Sequence, residues 1–107
     1  MSELITTGIW LVKQGEEEAF VQSWTTFAQW AATTSGATTL RLGHDRDNPS
    51  RFISFAPWTD AASAHAWKAR PDFAGHMAEV RQHVTGFEGI ELDVLAAAAA
   101  ASTVARS

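Results

Sequence analysis

The chain contains no cysteine and no tyrosine, although its 107 residues include five tryptophans and six phenylalanines. Without cysteine it can form no disulfide, no thiolate metal site and no thiol nucleophile. Without tyrosine, no mechanism can use a phenolic hydroxyl group of the protein. No run approaches the roughly 18 apolar residues of a membrane span, and the start lacks the pattern of a signal peptide. We therefore expect a soluble, cytoplasmic protein with no membrane partner.

Positive charge is also scarce. Eight Lys and Arg residues stand against twelve Asp and Glu, which gives a formal net charge of −4, and there is no basic block. This balance argues against nucleic acid as a partner, because phosphate binding needs clustered cations. Glycine-rich phosphate loops and the GxSxG frame are missing too, which argues against the usual nucleotide cofactors and against a hydrolase.

The length suits one self-supporting domain, which we place at residues 1–95. Residues 96–107 are an alanine-rich C-terminal tail that forms either a short helix or a frayed end.

Hydrophobic periodicity predicts the first half of the domain. Residues 4–13 alternate like a strand with apolar side chains on both faces. An apolar stripe with helical spacing predicts a helix from about 16 to 32. We predict a second strand over 38–46 and a third strand that starts at Phe52. Residues 47–50 between them are strong turn residues, which favours a hairpin.

The second half reads as two helices and a last strand. The helices lie on either side of Pro71. The apolar stripe of the second helix consists of Phe73, Met77, Val80 and Val84, and Gly86 is expected to end it. Ile90, Leu92 and Val94 then alternate with Glu91 and Asp93, a pattern typical of a strand with one solvent-facing side.

This order predicts the α+β ferredoxin-like βαββαβ fold, with helices on one face of an antiparallel sheet. The third strand is apolar on both faces, however, with Phe52 and Trp58 on one and Ile53 and Phe55 on the other. The face without helices would be a larger apolar patch than monomers usually expose. We therefore expect a homodimer whose two sheets face each other as a barrel. The alternative is that the tail or a bent helix covers this face.

Three segments carry a resemblance to a known family: VKQGEEEAF at 12–20, SFAPW at 54–58, and AWKARPDF at 66–73 with the Phe–Met–Val helix face after it. Through them, and over about residues 5–95, the chain resembles the antibiotic biosynthesis monooxygenase family of dimeric α+β barrels. The family includes cofactor-free oxygenases of polycyclic phenols, quinol oxygenases, haem-degrading enzymes and members of no known activity.

The resemblance to the cofactor-free branch implies roles for individual residues. Trp58 matches a Trp on the third strand of that branch, Ser54 stands where it has an Asn, and Ala64 where it has a Tyr. Ser54 can still donate a hydrogen bond to a substrate oxygen. Phenol oxidation also needs a base, and histidine titrates near neutral pH. Of the candidate bases His65, His76 and His83, we prefer His76, because it flanks the apolar stripe of the second helix.

The candidate catalytic residues are thus His76, Trp58 and Ser54. The candidate substrate-binding residues are Trp67, Phe52, Phe73, Met77 and Trp24.

The haem-degrading branch is disfavoured. Trp67 matches its Trp, but Gly8 stands where that branch has an Asn and Met77 where it has the His that binds iron. His76 is one position away, which turns a helical side chain by about 100°. His76 and His83 are seven residues apart, and metal chelation on a helix prefers a spacing of four, so we expect no metal site.

We therefore predict a monooxygenase that needs no cofactor and oxidises an aromatic phenol or quinol with O2. The alternative is a non-catalytic dimeric barrel that binds a small hydrophobic ligand.

Overall fold

The computed structural model of the protein describes residues 3–101. Its elements are β1 (Leu4–Val12), α1 (Glu17–Ala31), β2 (Arg41–His44), β3 (Arg51–Trp58), α2 (Ala61–Lys68), α3 (Phe73–Arg81) and β4 (Val84–Asp93). The strands form one antiparallel sheet in the order β2-β3-β1-β4. This confirms the ferredoxin-like α+β fold and the β2–β3 hairpin. None of the described helices is long and apolar enough to cross a membrane.

The central strands β1 and β3 define the two faces of the sheet. Their even-numbered residues face the helices and are buried, as Trp10 and its register partner Phe52 show. Their odd-numbered residues face away and are partly exposed. Together with even-numbered residues 88–92 of β4, these odd-numbered residues form what we call the open face. Ile53 and Phe55 lie on it, which confirms that β3 is apolar on both sides.

Helix α1 packs on the sheet through the predicted stripe, whose buried members are Phe20, Trp24, Phe27, Ala28 and Ala31. Glu17 and Glu18 lie in its first turn, where their carboxylates interact favourably with the positive end of the helix dipole. No basic residue lies in its last turn.

The prediction that the second helix of the pair extends past Val84 to Gly86 is wrong. Helix α3 ends at Arg81, and β4 begins at Val84. The ladder with β1 outcompetes the helix here, because Lys13 N donates to His83 O at 2.9 Å. The Phe87 ring also packs 4.3 Å from that of Trp10. The apolar stripe that reaches Val84 therefore predicted the wrong C-terminal end for this helix.

Pro57 lies inside β3 even though proline lacks an N–H group. Its carbonyl accepts from Thr38 N at 3.1 Å and from Thr38 Oγ1 at 2.8 Å. Because the N and C=O of one strand residue point the same way, the Pro57 nitrogen faces away from β1. The missing N–H therefore removes no bond of the central β1–β3 ladder.

The chain after β4 has no regular secondary structure up to Ala101. Val94 N donates to Glu3 O at 3.2 Å, and the Leu95 side chain is almost fully exposed. Residues 102–107 of the predicted tail lie outside the described residues.

Candidate functional site

An apolar cavity of about 280 Å³ lies between the sheet and the helices and is partly open to solvent. Its wall comes from β1, β3 and β4 on one side and from all three helices on the other. Six of the lining residues are aromatic: Trp10, Trp24, Phe27, Trp67, Phe73 and Phe87. Such a wall suits a flat apolar ligand of modest size.

Ser54 supplies a hydrogen-bond donor to this cavity. Trp10 Nε1 donates to Ser54 Oγ at 3.0 Å, and both residues line the cavity. An indole N–H can only donate, so the serine oxygen must accept. The serine hydrogen finds no acceptor among the described residues, and it is therefore free to be donated to a ligand.

Trp67 supplies a second donor. Its Nε1 is buried and has no hydrogen-bond partner among residues 3–101. Its ring stacks on Trp58 at 4.9 Å and meets Phe73 edge-on at 5.0 Å. An unpaired buried donor costs about 1–3 kcal/mol. A ligand oxygen that reached this nitrogen would remove that cost.

A group of charged side chains lies where the cavity opens. Lys68 Nζ of α2 donates to Glu91 Oε2 of β4 at 2.5 Å, and both side chains are about two-fifths exposed. His65 Nε2 lies 3.8 Å from Glu91 Oε1. The Lys68 hydrogen bond, and secondarily the charges of Lys68 and His65, hold the pKa of Glu91 below its usual range. Glu91 is therefore a carboxylate at neutral pH.

Two glycines form part of the cavity wall on the sheet. Gly8 of β1 and Gly89 of β4 are register partners. A Cβ at Gly8 would lie 2.7 Å from Trp10 Nε1 and 2.9 Å from Ser54 Oγ. A Cβ at Gly89 would meet only the Phe87 ring, at 3.3 Å. The glycine at position 8 is thus what lets Trp10 and Ser54 approach each other.

The structure brings five of the predicted site residues together in the cavity wall: Ser54, Trp67, Phe73, Met77 and Trp24. Trp58 is fully buried behind Trp67, and its Nε1 donates to Thr6 Oγ1 at 3.1 Å. Phe52 lies away from the cavity, between the rings of Phe20 and His44.

His76, the preferred base in the sequence analysis, lies outside the cavity. Its ring stacks on Trp30 at 4.3 Å and borders a shallow surface groove with Glu79 and His83. The neighbouring Met77 is the residue that faces the cavity from this part of α3. None of the four histidines lines the cavity. Within residues 3–101, no three metal-ligating side chains are close enough to hold an ion.

The arrangement expected for haem degradation does not fit these residues. The α3 position that faces the cavity holds Met77, whose thioether replaces the histidine that would bind iron. At Gly8 even a single added carbon would collide with Trp10 and Ser54, so an asparagine side chain has no room.

Lys68 and Glu91 were not predicted from the sequence as parts of the site. The alternation in β4 was visible, and its acidic side was expected to face solvent. The register places Phe87 beside Trp10 and Glu91 beside Thr6, so the acidic side shares the helix face. Ile90 and Leu92 lie on the open face instead. A period of two separates the faces of a strand but does not say which one the helices cover.

The comparisons agree with this fold. The family model for antibiotic biosynthesis monooxygenase matches residues 7–79, and no curated protein matches the chain significantly. The solved structure of SnoaB, a cofactor-independent oxygenase from Streptomyces nogalater, aligns with a TM-score of 0.81 at 22% identity, covering 91% of this chain and 97% of that one. A candidate monooxygenase of this family from Deinococcus radiodurans aligns with a TM-score of 0.79 at 16% identity over the same shares.

At these identities the two structures show a common fold, while the family model spans more than half of the sequence. The chain belongs to the antibiotic biosynthesis monooxygenase family.

Proposed function

We propose that this protein is a cofactor-independent monooxygenase that oxidises an aromatic phenol or quinol with O2 inside the apolar cavity. The observation that carries the proposal is a wall with six aromatic residues combined with unpaired donors, among them the Ser54 hydroxyl and the Trp67 indole N–H. The wall suits a fused aromatic ring, and the donors suit the oxygen on which negative charge develops. Family membership, and the fold shared with SnoaB, support this reaction class.

The reaction begins when the substrate loses a proton and becomes an electron-rich carbanion or phenolate. Ser54 and Trp67 stabilise the charge on its oxygen, and the apolar wall excludes water. The anion then passes electrons to O2. At a ring CH2 group, one oxygen atom becomes the new C=O, and the other leaves as water with the two hydrogens of that carbon. O2 is the co-reactant, and the substrate supplies all the electrons.

The remaining predicted site residues take supporting places in this proposal. Trp58 positions Trp67 through the stacking of their rings and does not touch the substrate. Trp24, Phe73 and Met77 form the wall. We give His76 no part in the chemistry, because its ring stacks on Trp30 outside the cavity.

We also propose that the protein is a homodimer formed through the open face. Leu11, Phe55 and Leu92 lie on that face, and each keeps 40–45% of its surface exposed. Burying such residues contributes about 25 cal/mol per Å² of apolar area. A second copy of the same face is complementary to it around a two-fold axis, which gives a closed pair.

The competing function is non-catalytic binding of a small hydrophobic aromatic ligand in the same cavity. It is favoured by the substitutions at the positions the resemblance points to, where Ser54 and Ala64 replace Asn and Tyr. A serine hydroxyl reaches less far than an amide and makes fewer hydrogen bonds.

The two functions are separated by O2 uptake with a panel of anthrone-type phenols and quinols. We expect the protein to accelerate uptake above the spontaneous rate. Ser54→Ala should lower kcat/KM by about 10²-fold, the loss typical of one donor to a developing oxyanion. Trp67→Phe, which keeps a ring but removes the N–H, should also lower it. Ser35→Ala, in the exposed turn after α1, is the control. Tight binding of the panel with no acceleration by the wild-type protein would favour the binding function.

A further inference from the structure

We propose that Glu91 accepts the proton that the substrate loses. This inference rests on the proposed function and names the base which that reaction requires. Among the described residues that line the cavity, the side chains that titrate are Lys68 and Glu91. A lysine ammonium has no free electron pair, and no histidine lines the cavity, so the carboxylate of Glu91 remains.

The sheet register places Glu91 two strands away from Ser54. Ser54 pairs with Gly8 on one side of β1, and Glu91 pairs with Thr6 on the other side. Strands about 4.8 Å apart with a rise of about 3.4 Å per residue put the Ser54 and Glu91 Cα atoms about 12 Å apart. Both side chains lie on the helix face. A fused-ring ligand whose oxygen is held at Ser54 therefore extends towards Glu91.

The two carboxylate oxygens of Glu91 have different neighbours. Oε2 accepts from Lys68 Nζ at 2.5 Å, which keeps the group ionised and oriented. Oε1 has no partner this close and lies 3.8 Å from His65 Nε2, on a side chain that is 65% exposed. Oε1 is thus the carboxylate oxygen left to take a proton.

The step is a proton transfer and consumes no oxidant. A C–H or O–H bond of the substrate breaks, its electron pair stays on the ring, and a new O–H bond forms at Glu91 Oε1. Transfer from Oε1 to water restores the carboxylate. The pKa of Glu91 lies below its usual range, so its carboxylate is a weaker base than a phenolate, whose conjugate acid has a pKa of about 10. The donors Ser54 and Trp67 are needed because they stabilise the substrate anion and so lower the free-energy cost of this unfavourable proton transfer.

The test measures proton removal without oxygenation. Anthrone is incubated with the protein in deuterium oxide under argon, and the exchange of its ring CH2 hydrogens is followed by NMR. We expect the wild-type protein to accelerate exchange and Glu91→Gln to lower that acceleration by about 10²- to 10⁴-fold, the usual contribution of a general base. Asp93→Asn is the matched control, because Asp93 lies two residues away on the same face of β4, outside the cavity.

Lys68→Gln distinguishes a base from an ion pair that only holds the structure. Glu91→Gln and Lys68→Gln both break the ion pair, but only the first removes the carboxylate. Because Lys68 lowers the pKa of Glu91, Lys68→Gln should raise it. The acidic limb of the exchange rate against pH should then move to higher pH, and the loss of exchange above that limb should be smaller than in Glu91→Gln.

Each outcome decides something. Equal losses in Glu91→Gln and Lys68→Gln, or a wild-type exchange rate in Glu91→Gln, would overturn the role of Glu91 and leave the oxygenase function to the O2 measurement. Exchange that depends on Glu91, without O2 uptake, would support the proton acceptor and remove the oxygenase function. Absence of both exchange and O2 uptake in the wild-type protein would remove both proposals.

Discussion

At the scale of single residues, the site depends on a glycine that makes room for a hydrogen bond. The Trp10–Ser54 bond orients the serine so that its hydrogen is free for a ligand. A Cβ at Gly8 would lie within 3.0 Å of both polar atoms of that bond and of the Phe87 ring. Position 8 therefore requires glycine because there is no room for a side chain, and not because of its backbone conformation.

Gly8→Ala should destabilise the protein by about 1–3 kcal/mol, the usual cost of forcing an extra carbon into a packed core. Urea unfolding followed by tryptophan fluorescence measures the change. Gly75→Ala is the opposite case, because Gly75 lies within α3 and its added Cβ would meet nothing within 4 Å. That variant should be more stable by about 0.5–1 kcal/mol, because alanine lowers the conformational entropy of the unfolded chain and has a higher helix propensity than glycine. Equal stabilities for the two variants would contradict this account of the wall.

At the scale of elements, the C-terminal end of α1 is capped by Arg70, which lies in the turn between α2 and α3. Its last turn has no basic residue of its own. Arg70 Nη1 donates to Trp30 O at 3.3 Å and to the hydroxyls of Thr33 and Thr34 at 3.0 and 2.7 Å. Its guanidinium also lies 4.2 Å above the Trp30 ring. The Arg70 guanidinium thus links the negative C-terminal end of α1 to the turn between α2 and α3.

Arg70→Met should cost about 1–2 kcal/mol of unfolding free energy, because it removes charge-assisted bonds but keeps an apolar stem. The same urea assay measures it. Arg46→Met is the control, in the exposed turn between β2 and β3, and should stay within about 0.5 kcal/mol of the wild-type protein. If both arginine variants unfold at the wild-type urea concentration, the proposed capping of α1 contributes nothing measurable.

At the scale of the whole molecule, the layers are unequal. Helices cover one face of the sheet, while the open face carries Phe55 at 43% exposure between further apolar side chains. Apolar side chains grouped in this way usually mark an interface. The cavity lies on the opposite, helix-covered face, so two copies can pair without blocking it.

Analytical ultracentrifugation at micromolar concentration should therefore show a dimer. Phe55→Glu should give monomers, because pairing would bury two carboxylates that lack partners. Val21→Glu provides the control, since Val21 is 40% exposed but lies on α1, away from the open face. A wild-type protein that sediments as a monomer would rule out the paired barrel.

The sequence alone determined the order of the elements and the two-faced character of β3. These properties follow from local periods, 3.6 residues in α1 and two in the strands, which are set by neighbouring residues. The apolar stripe of the last helix likewise marked Phe73 and Met77, both of which line the cavity.

Only the tertiary structure decided which side chains meet. Strand register, fixed by contacts between residues far apart in the chain, placed Glu91 and Ser54 on the same face of the sheet. The packing of α3 turned Met77 into the cavity and His76 onto Trp30. A shift of one residue in a strand, or of about 100° on a helix, would exchange these partners. Local sequence periods fix neither the strand register nor the rotation of α3, because both are set by long-range packing.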